Sequence, residues 1–477
     1  MRRAKIVCTL GPATESSEKV QALVDAGMDV ARINRSHGSA EEAEVLIGRV
    51  RAAAEASGRP VAVLVDLQGP KIRLGTFVGD QRVKLDKGDE FTITIDDVLG
   101  TVKRVSTTFK GLPGDCKPGD RLLIDDGNVA VRVTAVTDTD VITKVEVPGY
   151  VSNHKGLNLP GVAVSVPALS EKDREDLRWA LTRADADVIA LSFVRSASDI
   201  DDVHAIMDEV GVRLPVIAKI EKPQAVDKLF EIVSAFDGIM VARGDLGVEM
   251  PLEAVPLVQK RAIELARRQA KPVIVATQVL ESMIQNPRPT RAEASDCANA
   301  ILDGADAVML SGETSVGAYP IEAVRTMASI IENVEEHGGE RIPGLGSYPQ
   351  TRGGALTRAA AEMGEHLDVT YLVTFTQSGD TARRLSRLRS PLPLLAFTPL
   401  HETRNQLAVS WGVQCYEVPE VEHTDEMVAQ VDEILQDKHL AQPGDTVVIV
   451  AGMPPGTPGS TNSIRVHTVG ETGDYKV

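Results

Sequence analysis

A series of eight short apolar segments in the first two thirds of the chain is the strongest constraint on its fold. Apolar runs of this length, bounded by Gly or Pro, are typical of buried parallel strands. Helical patterns lie between most of them, so the alternation predicts an α/β fold built on a closed (β/α)₈ (TIM) barrel. The alternative is a doubly wound open sheet, but no G-x-G-x-x-G turn follows the first segment. The segments are 5–11, 29–36, 61–69, 187–193, 215–221, 238–245, 272–278 and 307–313.

The spacing of these segments is interrupted once, between the third and the fourth. Residues 71–166 alternate apolar and polar positions and contain the hairpin signal Asp126-Gly127, which predicts a small β-barrel domain inserted into the larger barrel. We therefore expect residues 1–70 and 167–337 to form the (β/α)₈ barrel. Apolar strands then alternate with helices again, which predicts a C-terminal α/β domain over residues 338–477.

Composition argues against several classes of function. A chain of 477 residues is long enough for two or three domains, and its net charge of −17 disfavours non-specific nucleic-acid binding. No apolar run reaches membrane-spanning length, and the run after Met1-Arg2-Arg3 is too short for a signal peptide. The cysteines are far apart and lack metal-ligand spacing, so we expect a reduced, cytoplasmic protein. They are Cys8, Cys116, Cys297 and Cys415.

Polar residues cluster where the predicted strands end. In (β/α)₈ barrels the C-terminal ends of all strands meet at one mouth, where catalytic residues gather. A single strand-end Asp or Thr is ordinarily a helix cap or a turn residue, but a whole ring of such residues indicates an active site. The ring consists of Arg32, Asn34, Ser36, Asp66, Ser192, Lys219, Glu221, Gly244, Asp245, Thr277, Ser311 and Glu313.

Three members of this ring favour the chemistry of an anionic substrate. Glu221 and Asp245 together make the hard oxygen site that suits Mg²⁺. Lys219 adds a point charge of the kind that binds phosphate. Because unpaired buried charge is costly, a ligand or a neighbouring residue must balance each of them. The alternative for Lys219 is therefore a structural ion pair with Glu221 or Asp66.

Five segments resemble the signature segments of the pyruvate kinase family, in the same order and with matching spacing. The insertion at 71–166 also agrees with that family. The resemblance implies a phosphotransferase that moves the phosphoryl group of phosphoenolpyruvate to ADP, giving pyruvate and ATP in the last step of glycolysis. The segments are Arg32-Ile-Asn-Arg-Ser-His-Gly38, Ile220-Glu-Lys-Pro223, Ala242-Arg-Gly-Asp-Leu-Gly247, Ala276-Thr-Gln278 with Glu281-Ser-Met283, and Leu310-Ser-Gly-Glu-Thr314.

The resemblance implies how the charged residues at the mouth act. Glu221 and Asp245 would hold Mg²⁺ (or Mn²⁺). Lys219 would stabilise the charge on the transferring phosphoryl group. Arg32 would clamp the phosphate, because its planar fork fits phosphate better than a lysine does.

It also implies which groups bind and protonate the three-carbon part of the substrate. The backbone N–H groups of Gly244, Asp245 and Thr277 would receive its carboxylate. After phosphoryl transfer an enolate remains and must be protonated at carbon. Thr277, acting through water and Ser311, is the best candidate donor, although a hydroxyl is a poor acid and a relay is therefore expected.

Further residues match positions that contact nucleotides, effectors or other subunits in relatives. The inserted domain would close over the mouth and exclude water. The C-terminal domain would be regulatory and bind a phosphorylated allosteric effector, and the subunits would form a homotetramer with D₂ symmetry. The alternatives are solvated surface charges and an ordinary capped turn. The candidates are Arg73, Lys155 and His37 for the nucleotide, Thr376, Ser378 and Thr381 for the effector, and Arg291 for the subunit interface.

The chain departs from the pattern of those relatives that need K⁺. The K⁺ ligands there correspond to Asn34, Ser36, Asp66 and the backbone carbonyl of the next residue. Those relatives have Asp-Thr-Lys-Gly-Pro-Glu where this chain has Asp66-Leu-Gln-Gly-Pro-Lys71. An ammonium is a compact cation on a flexible stem, so we expect Lys71 to fill the K⁺ position and make K⁺ dispensable. The alternative is that Lys71 faces solvent and K⁺ is still used.

Two other functions fit parts of the pattern. A Mg²⁺-dependent barrel lyase or aldolase acting through a pyruvate enolate needs the two carboxylates, but neither a nucleotide lid nor Lys219. A catalytically dead scaffold predicts damage in the ring, and no member of the ring is damaged. An assay for pyruvate and ATP formed from phosphoenolpyruvate and ADP separates the three functions.

Overall fold

The centre of the molecule is a closed barrel of eight parallel strands, which confirms the predicted fold class. A computed structural model describes residues 2–162, 164–456 and 459–471. The strands follow one another around the barrel, and the eighth pairs with the first. Most of them are buried along their whole length, so they are continuous apolar runs in the sequence. The barrel strands are β1 (Lys5–Thr9), β2 (Val30–Asn34), β3 (Ala62–Asp66), β4 (Val188–Leu191), β5 (Val216–Ile220), β6 (Gly238–Ala242), β7 (Val273–Ala276) and β8 (Ala307–Leu310).

Several helices around the barrel begin at caps that the local sequence encodes. The hydroxyls of Ser39, Ser170 and Thr290 each accept a hydrogen bond from the N–H three residues later, and the carboxylate at that position bonds back to the cap. Within the described residues, no helix is both long enough and apolar enough to cross a membrane. The barrel helices are Ser17–Ala26, Ala40–Ser57, Glu171–Thr182, Asp199–Val210, Pro223–Asp227, Leu229–Ala235, Arg243–Glu249, Val255–Arg268, Arg291–Leu302, Gly312–Ser315 and Pro320–Gly338.

The residues inserted between β3 and β4 form a separate β unit, called the lid below (residues 71–166). It contains a six-stranded sheet and a two-stranded sheet. Single bridges from Arg73 to Gly156 and from Leu74 to Thr107 connect the two edges of the larger sheet, which therefore curls toward a small barrel. The lid strands are Val83–Leu85, Glu90–Thr94, Arg104–Ser106, Arg121–Ile124, Val129–Val136, Asp140–Val147, Gly149–Val151 and Leu157–Asn158, with one short helix, Leu112–Asp115.

The C-terminal unit is a five-stranded sheet with helices on its faces. The sequence pattern predicts three of its strands, Tyr371–Phe375, Leu394–Thr398 and Thr446–Gly452. It does not predict Val413–Glu417 or Thr461–Thr468, because these edge strands are partly exposed and carry polar residues along their length. The helices are Arg352–Leu367, Asp380–Ser386, His401–Gln406 and Thr424–Asp437.

The C-terminal unit packs against the end of the barrel opposite the mouth. Asp306, immediately before β8, forms a buried ion pair with Arg389 at 3.1 Å. The same carboxylate accepts hydrogen bonds from the N–H groups of Trp411 and Val273, each at 3.1 Å. Because this carboxylate bonds to both units, it fixes how the C-terminal unit sits on the barrel.

Candidate active site

The mouth of the barrel is organised around the carboxylate of Asp66, at the end of β3. Asp66 is 1% exposed and accepts a hydrogen bond from Arg32 Nε at 2.7 Å. Lys219 Nζ lies 3.3 Å from its other oxygen. Burial alone would raise the pKa of Asp66, but Lys219 and Arg32 hold that pKa below its ordinary value. The group is therefore a charged carboxylate that holds two cations side by side.

Lys219 contacts three residues that line the same mouth. Its ammonium lies 2.9 Å from Glu221 Oε1, in addition to Asp66, and donates a hydrogen bond to Ser192 Oγ at 2.8 Å. Burial would lower the pKa of Lys219, but the two carboxylates raise it above its ordinary value. The ion pairs considered for Lys219 from the sequence are thus both present, and they fix a charged ammonium at the end of β5.

Glu221 is a buried carboxylate whose hydrogen bonding is incomplete. Its Oε2 accepts the N–H of Phe193 at 2.7 Å. Oε1 is close to Lys219 but has no aligned hydrogen bond within the described residues. Burial raises the pKa of Glu221, and the negative charge of nearby Asp245 raises it further against the opposing effect of Lys219. Two carboxylates near each other, one of them with an oxygen that lacks an aligned hydrogen bond, fit a hard divalent cation, which would add to the positive charge of Lys219.

Two carboxylates alone do not complete a metal coordination sphere. In the part of the chain that the structure describes, no group of three or more His, Cys, Asp or Glu side chains could hold a metal ion. A cation at Glu221 and Asp245 would therefore take its remaining ligands from water, backbone or substrate oxygens, which is common for Mg²⁺.

The turn after β6 approaches the turn after β7. Helix Arg243–Glu249 begins directly at the strand end, and the N–H of Gly244 donates to Thr277 Oγ1 at 2.7 Å. Thr277 has a φ of 69°, an uncommon value for a β-branched residue, and its hydroxyl also donates to the carbonyl of Ala276 at 2.6 Å. The N–H group expected to bind a carboxylate is therefore occupied here by the Thr277 hydroxyl.

Arg243 is a site residue that the sequence patterns do not single out. Its guanidinium donates to the carbonyls of Thr277 at 2.8 Å and Ala276 at 3.3 Å. It also pairs with Asp296 of helix Arg291–Leu302 at 2.8 Å. One planar fork thus fixes the strained turn at Thr277. The position of Arg243 directly before Gly244 is the one feature of the sequence that suggests a role in the site. Its contacts could not be predicted from that position, because its partners lie far away in the chain.

A cavity of about 1,100 Å³ opens beside this charge cluster. Arg32, Asn34, His37 and Ser311 line it, together with the apolar side chains of the β1 and β8 loops. Ser311 Oγ is buried without a hydrogen-bond partner in the described residues. The cavity is large enough for a nucleotide, and it brings His37 and Ser311 to one space.

The two nucleotide candidates of the lid lie together on its surface. Lys155 pairs with Asp125 at 2.8 Å, and Arg73 donates to the carbonyl of His154 at 3.0 Å. Neither residue lines the cavity of about 1,100 Å³ in this structure. Both are partly exposed.

Three of the four groups that correspond to K⁺ ligands, in Asn34, Asp66 and Leu67, already have donors or cationic partners in this structure. Asn34 Oδ1 accepts the N–H of Ser36 at 3.1 Å, and the Leu67 carbonyl accepts from Ser192 Oγ at 2.7 Å. The cations paired with Asp66, among the described residues, are Arg32 and Lys219. Lys71 instead lines a narrow cleft between the lid and the barrel.

The predicted effector loop lies in the C-terminal unit, far along the chain from the mouth. Thr376, Ser378 and Thr381 line a small cavity of about 70 Å³, with Thr381 Oγ1 2.7 Å from Thr461 Oγ1. Gly379 has a φ of 78° at the start of helix Asp380–Ser386. The three candidates are therefore close together in one pocket.

The fold and the mouth define a (β/α)₈ barrel whose strand ends bring two cationic side chains and several carboxylates together. The family profile described as "Pyruvate kinase, barrel domain" matches residues 1–324, and "Pyruvate kinase, alpha/beta domain" matches residues 354–467.

Proteins of known function are similar to nearly the whole chain. A pyruvate kinase of Mycobacterium tuberculosis is 58% identical, covering 98% of this chain and 99% of its own length. One from Corynebacterium efficiens is 57% identical, covering 98% of both chains. A crystal structure of a pyruvate kinase from Cryptosporidium parvum has a TM-score of 0.91 at 33% identity, covering 98% of this chain and 96% of that one. The chain belongs to the pyruvate kinase family, and its function is that of a phosphotransferase of this family.

Substitution of Arg243 tests whether its contacts position the turn at Thr277. Arg243→Lys keeps the charge but loses the planar fork, so the turn at Thr277 should loosen. Hydrogen bonds to charged groups contribute about 1.5–3 kcal/mol each, and we expect kcat/KM for phosphoenolpyruvate to fall about tenfold or more. Steady-state kinetics with a matched Arg261→Lys control, at an exposed position, measures this. Wild-type kcat/KM in Arg243→Lys would show that the fork of Arg243 does not position the turn at Thr277.

Proposed function

We propose that the charge cluster at the mouth carries out phosphoryl transfer from phosphoenolpyruvate to ADP. The observation that supports this most strongly is the ammonium of Lys219, whose side chain is 12% exposed and which lies between Asp66 and Glu221. Phosphoryl transfer needs little covalent chemistry from the protein, and it depends on positioning and on neutralising charge. Lys219 and Arg32 are the preorganised cations for the three phosphoryl oxygens.

Glu221 and Asp245 are the proposed ligands of Mg²⁺ (or Mn²⁺). The incompletely bonded Oε1 of Glu221 supports this assignment. When bound, the divalent cation supplies charge neutralisation for the substrate oxygens. The protein contributes a fixed geometry, because Phe193 holds Glu221 through its N–H, and Asp245 lies in the first turn of a short helix.

The proposed carboxylate site consists of the N–H groups of Gly244, Asp245 and Thr277. For the substrate carboxylate to bind Gly244, it must replace the hydroxyl of Thr277 as acceptor. The released hydroxyl then becomes available to the enolate that phosphoryl transfer leaves behind. We assign protonation of that enolate to Thr277 acting with water and Ser311, whose unpartnered hydroxyl supports a relay.

Nucleotide binding is assigned to the cavity beside Arg32 and His37 and to the lid. Arg73 and Lys155 reach the nucleotide phosphates only if the lid closes over the mouth, which also excludes water. We propose three domains with separate roles. The barrel spans residues 1–70 and 167–337, the lid spans 71–166, and a regulatory domain spans 338–477.

Regulation and assembly belong to the same proposal. The pocket with Thr376, Ser378 and Thr381 is assigned to a phosphorylated effector, since hydroxyls and N–H groups at a loop bind phosphate. A D₂ homotetramer is supported by Leu252 and Leu257, which are 72% and 70% exposed and thus leave apolar surface for a neighbouring subunit.

Arg291 is the proposed residue at the subunit interface. It is exposed at the start of helix Arg291–Leu302, and Asp296 of the same helix holds Arg243 beside the substrate turn. Contact with a second subunit at Arg291 would therefore be transmitted to the mouth. We assign the enzyme to the cytoplasm, as expected for glycolysis.

The first test concerns Lys219. Lys219→Met removes the ammonium while nearly keeping the length of the side chain. We expect kcat to fall at least ~100-fold, the scale of losing one preorganised charge donor, with phosphoenolpyruvate binding less affected. A coupled assay for pyruvate and ATP measures kcat, and Lys228→Met at an exposed position is the control. A variant that retains more than about a tenth of wild-type kcat would refute the role.

The second test concerns K⁺. We propose that Lys71 occupies the monovalent-cation position near Asn34, Ser36 and Asp66 when the lid closes, because Lys71 lines the cleft that closure would narrow. The expected result is full activity in cyclohexylammonium salts free of K⁺, NH₄⁺ and Na⁺, with Mg²⁺ still required. Lys71→Glu should create a K⁺ requirement, because it reverses the charge.

Tetramethylammonium chloride at equal ionic strength is the control for this test. If KCl raises wild-type activity about tenfold or more and tetramethylammonium does not, the wild-type enzyme uses K⁺ and the proposal for Lys71 is wrong.

A further inference from the structure

A single buried carboxylate, Glu249, joins three segments of the chain beside the mouth. Glu249 ends helix Arg243–Glu249 and is 4% exposed. Its Oε1 lies 2.6 Å from Lys222 Nζ and accepts a hydrogen bond from Asn158 Nδ2 at 2.8 Å. One oxygen atom thus connects the lid with two separate segments of the barrel.

Two of the connected segments carry the proposed metal ligands. Lys222 directly follows Glu221 in the chain. Asp245 lies four residues before Glu249, about one turn away on the same short helix. Because a helix of two turns moves as a rigid piece, a shift at Glu249 is passed to Asp245.

Lys222 also reaches Glu221 by a second route. Its ammonium lies over the ring of Phe193, 5.4 Å from the ring centre. The N–H of Phe193 is the donor to Glu221 Oε2, and Phe193 has a left-handed φ of 56°. A bulky residue in this conformation persists only where its surroundings hold it. Lys222 is therefore part of what fixes the orientation of Glu221.

The third segment belongs to the lid. Asn158 is 7% exposed and lies on strand Leu157–Asn158, which pairs with strand Arg121–Ile124 inside the lid. It comes three residues after Lys155, the lid's nucleotide candidate. The cleft between the lid and the barrel is lined by Asn158, Lys222 and Glu249. The hydrogen bond from Asn158 is therefore made where the lid meets the barrel.

The physical consequence follows from burial. A buried carboxylate needs its partners, because an ion left unpaired in a low-dielectric site is costly. If the lid moves and Asn158 withdraws, Glu249 loses its hydrogen bond from Asn158 and keeps only its ion pair with Lys222. The two remaining side chains must then rearrange. Lys222 is next to Glu221 in the chain, and Glu249 is on the same helix as Asp245. The rearrangement would therefore alter the separation of these two proposed metal ligands.

We propose that Glu249 is a positioning residue that couples the position of the lid to the affinity of the site for a divalent cation. It holds Glu221 and Asp245 in their binding geometry when Asn158 of the lid is hydrogen-bonded to Glu249. This inference depends on the proposed role of Glu221 and Asp245 as metal ligands, and it assigns a residue that touches neither the metal nor the substrate.

The test uses Mn²⁺ as the probe and needs no turnover. Free Mn²⁺ is titrated by electron paramagnetic resonance in the full-length protein without substrates. Glu249→Gln keeps the shape but removes the charge facing Lys222, and we expect the Mn²⁺ dissociation constant to rise about tenfold or more. Asn158→Ala removes only the hydrogen bond between the lid and Glu249, and it should also raise the Mn²⁺ dissociation constant. Glu253→Gln makes the same change at an exposed position nearby and is the control.

A second measurement follows the lid itself. The four native cysteines are buried, and burial raises the pKa of Cys116, Cys297 and Cys415 to about 12, which keeps these thiols unreactive. Spin labels can therefore be attached selectively at Asp138→Cys on the lid and Arg261→Cys on the barrel, both exposed positions. We expect the distance distribution between the labels to broaden in Glu249→Gln and in Asn158→Ala.

Circular dichroism verifies that each variant is folded, and if Glu249→Gln is not, Asn158→Ala carries the test. Unchanged Mn²⁺ affinity, or an unchanged distance distribution, would overturn the proposal. Glu221→Gln is measured in the same titration. If that variant also binds Mn²⁺ normally, the metal assignment itself fails, whereas normal binding by Glu249→Gln alone defeats only the coupling.

Discussion

The carboxylate of Asp66 holds Arg32 and Lys219 at the mouth of the barrel, and the rest of the site is arranged around these contacts. Two cations side by side repel each other, and only a buried anion between them makes the arrangement stable. The ammonium of Lys219 also lies beside Glu221. Oε1 of Glu221 has this ionic contact but no aligned hydrogen bond within the described residues. We propose that the charges that balance one another in this structure are also those that bind a phosphorylated substrate and a divalent cation.

The fold explains why these residues meet. Asp66, Lys219 and Thr277 lie far apart in sequence, but each is at the C-terminal end of a parallel strand, and a closed barrel brings those ends together. The lid extends from the end of β3, next to Asp66. In the mechanism that we propose, closure of the lid would change the surroundings of the charge cluster, and the bond between Asn158 and Glu249 would extend that influence to the helix carrying Asp245.

Much of this arrangement could be predicted from the sequence, because strand ends are easily recognised and their convergence follows from the fold. The barrel, the C-terminal unit and the family follow in this way. The contacts of Arg243 and Glu249 could not be predicted. Their partners Asp296, Asn158 and Lys222 lie 53, 91 and 27 residues away, and no periodicity links them. The occupation of the Gly244 N–H by Thr277 depends on an unusual backbone conformation that residue type does not indicate.

We propose that the charge of Asp66 organises the cations for phosphoryl transfer. The most direct measurement compares wild type with Asp66→Asn, an isosteric change that removes this charge, in an assay that follows pyruvate and ATP together. We expect equal amounts of both products from the wild-type enzyme and a fall in kcat/KM of about 100-fold or more in a folded Asp66→Asn variant. Wild-type kcat/KM in that variant would contradict it.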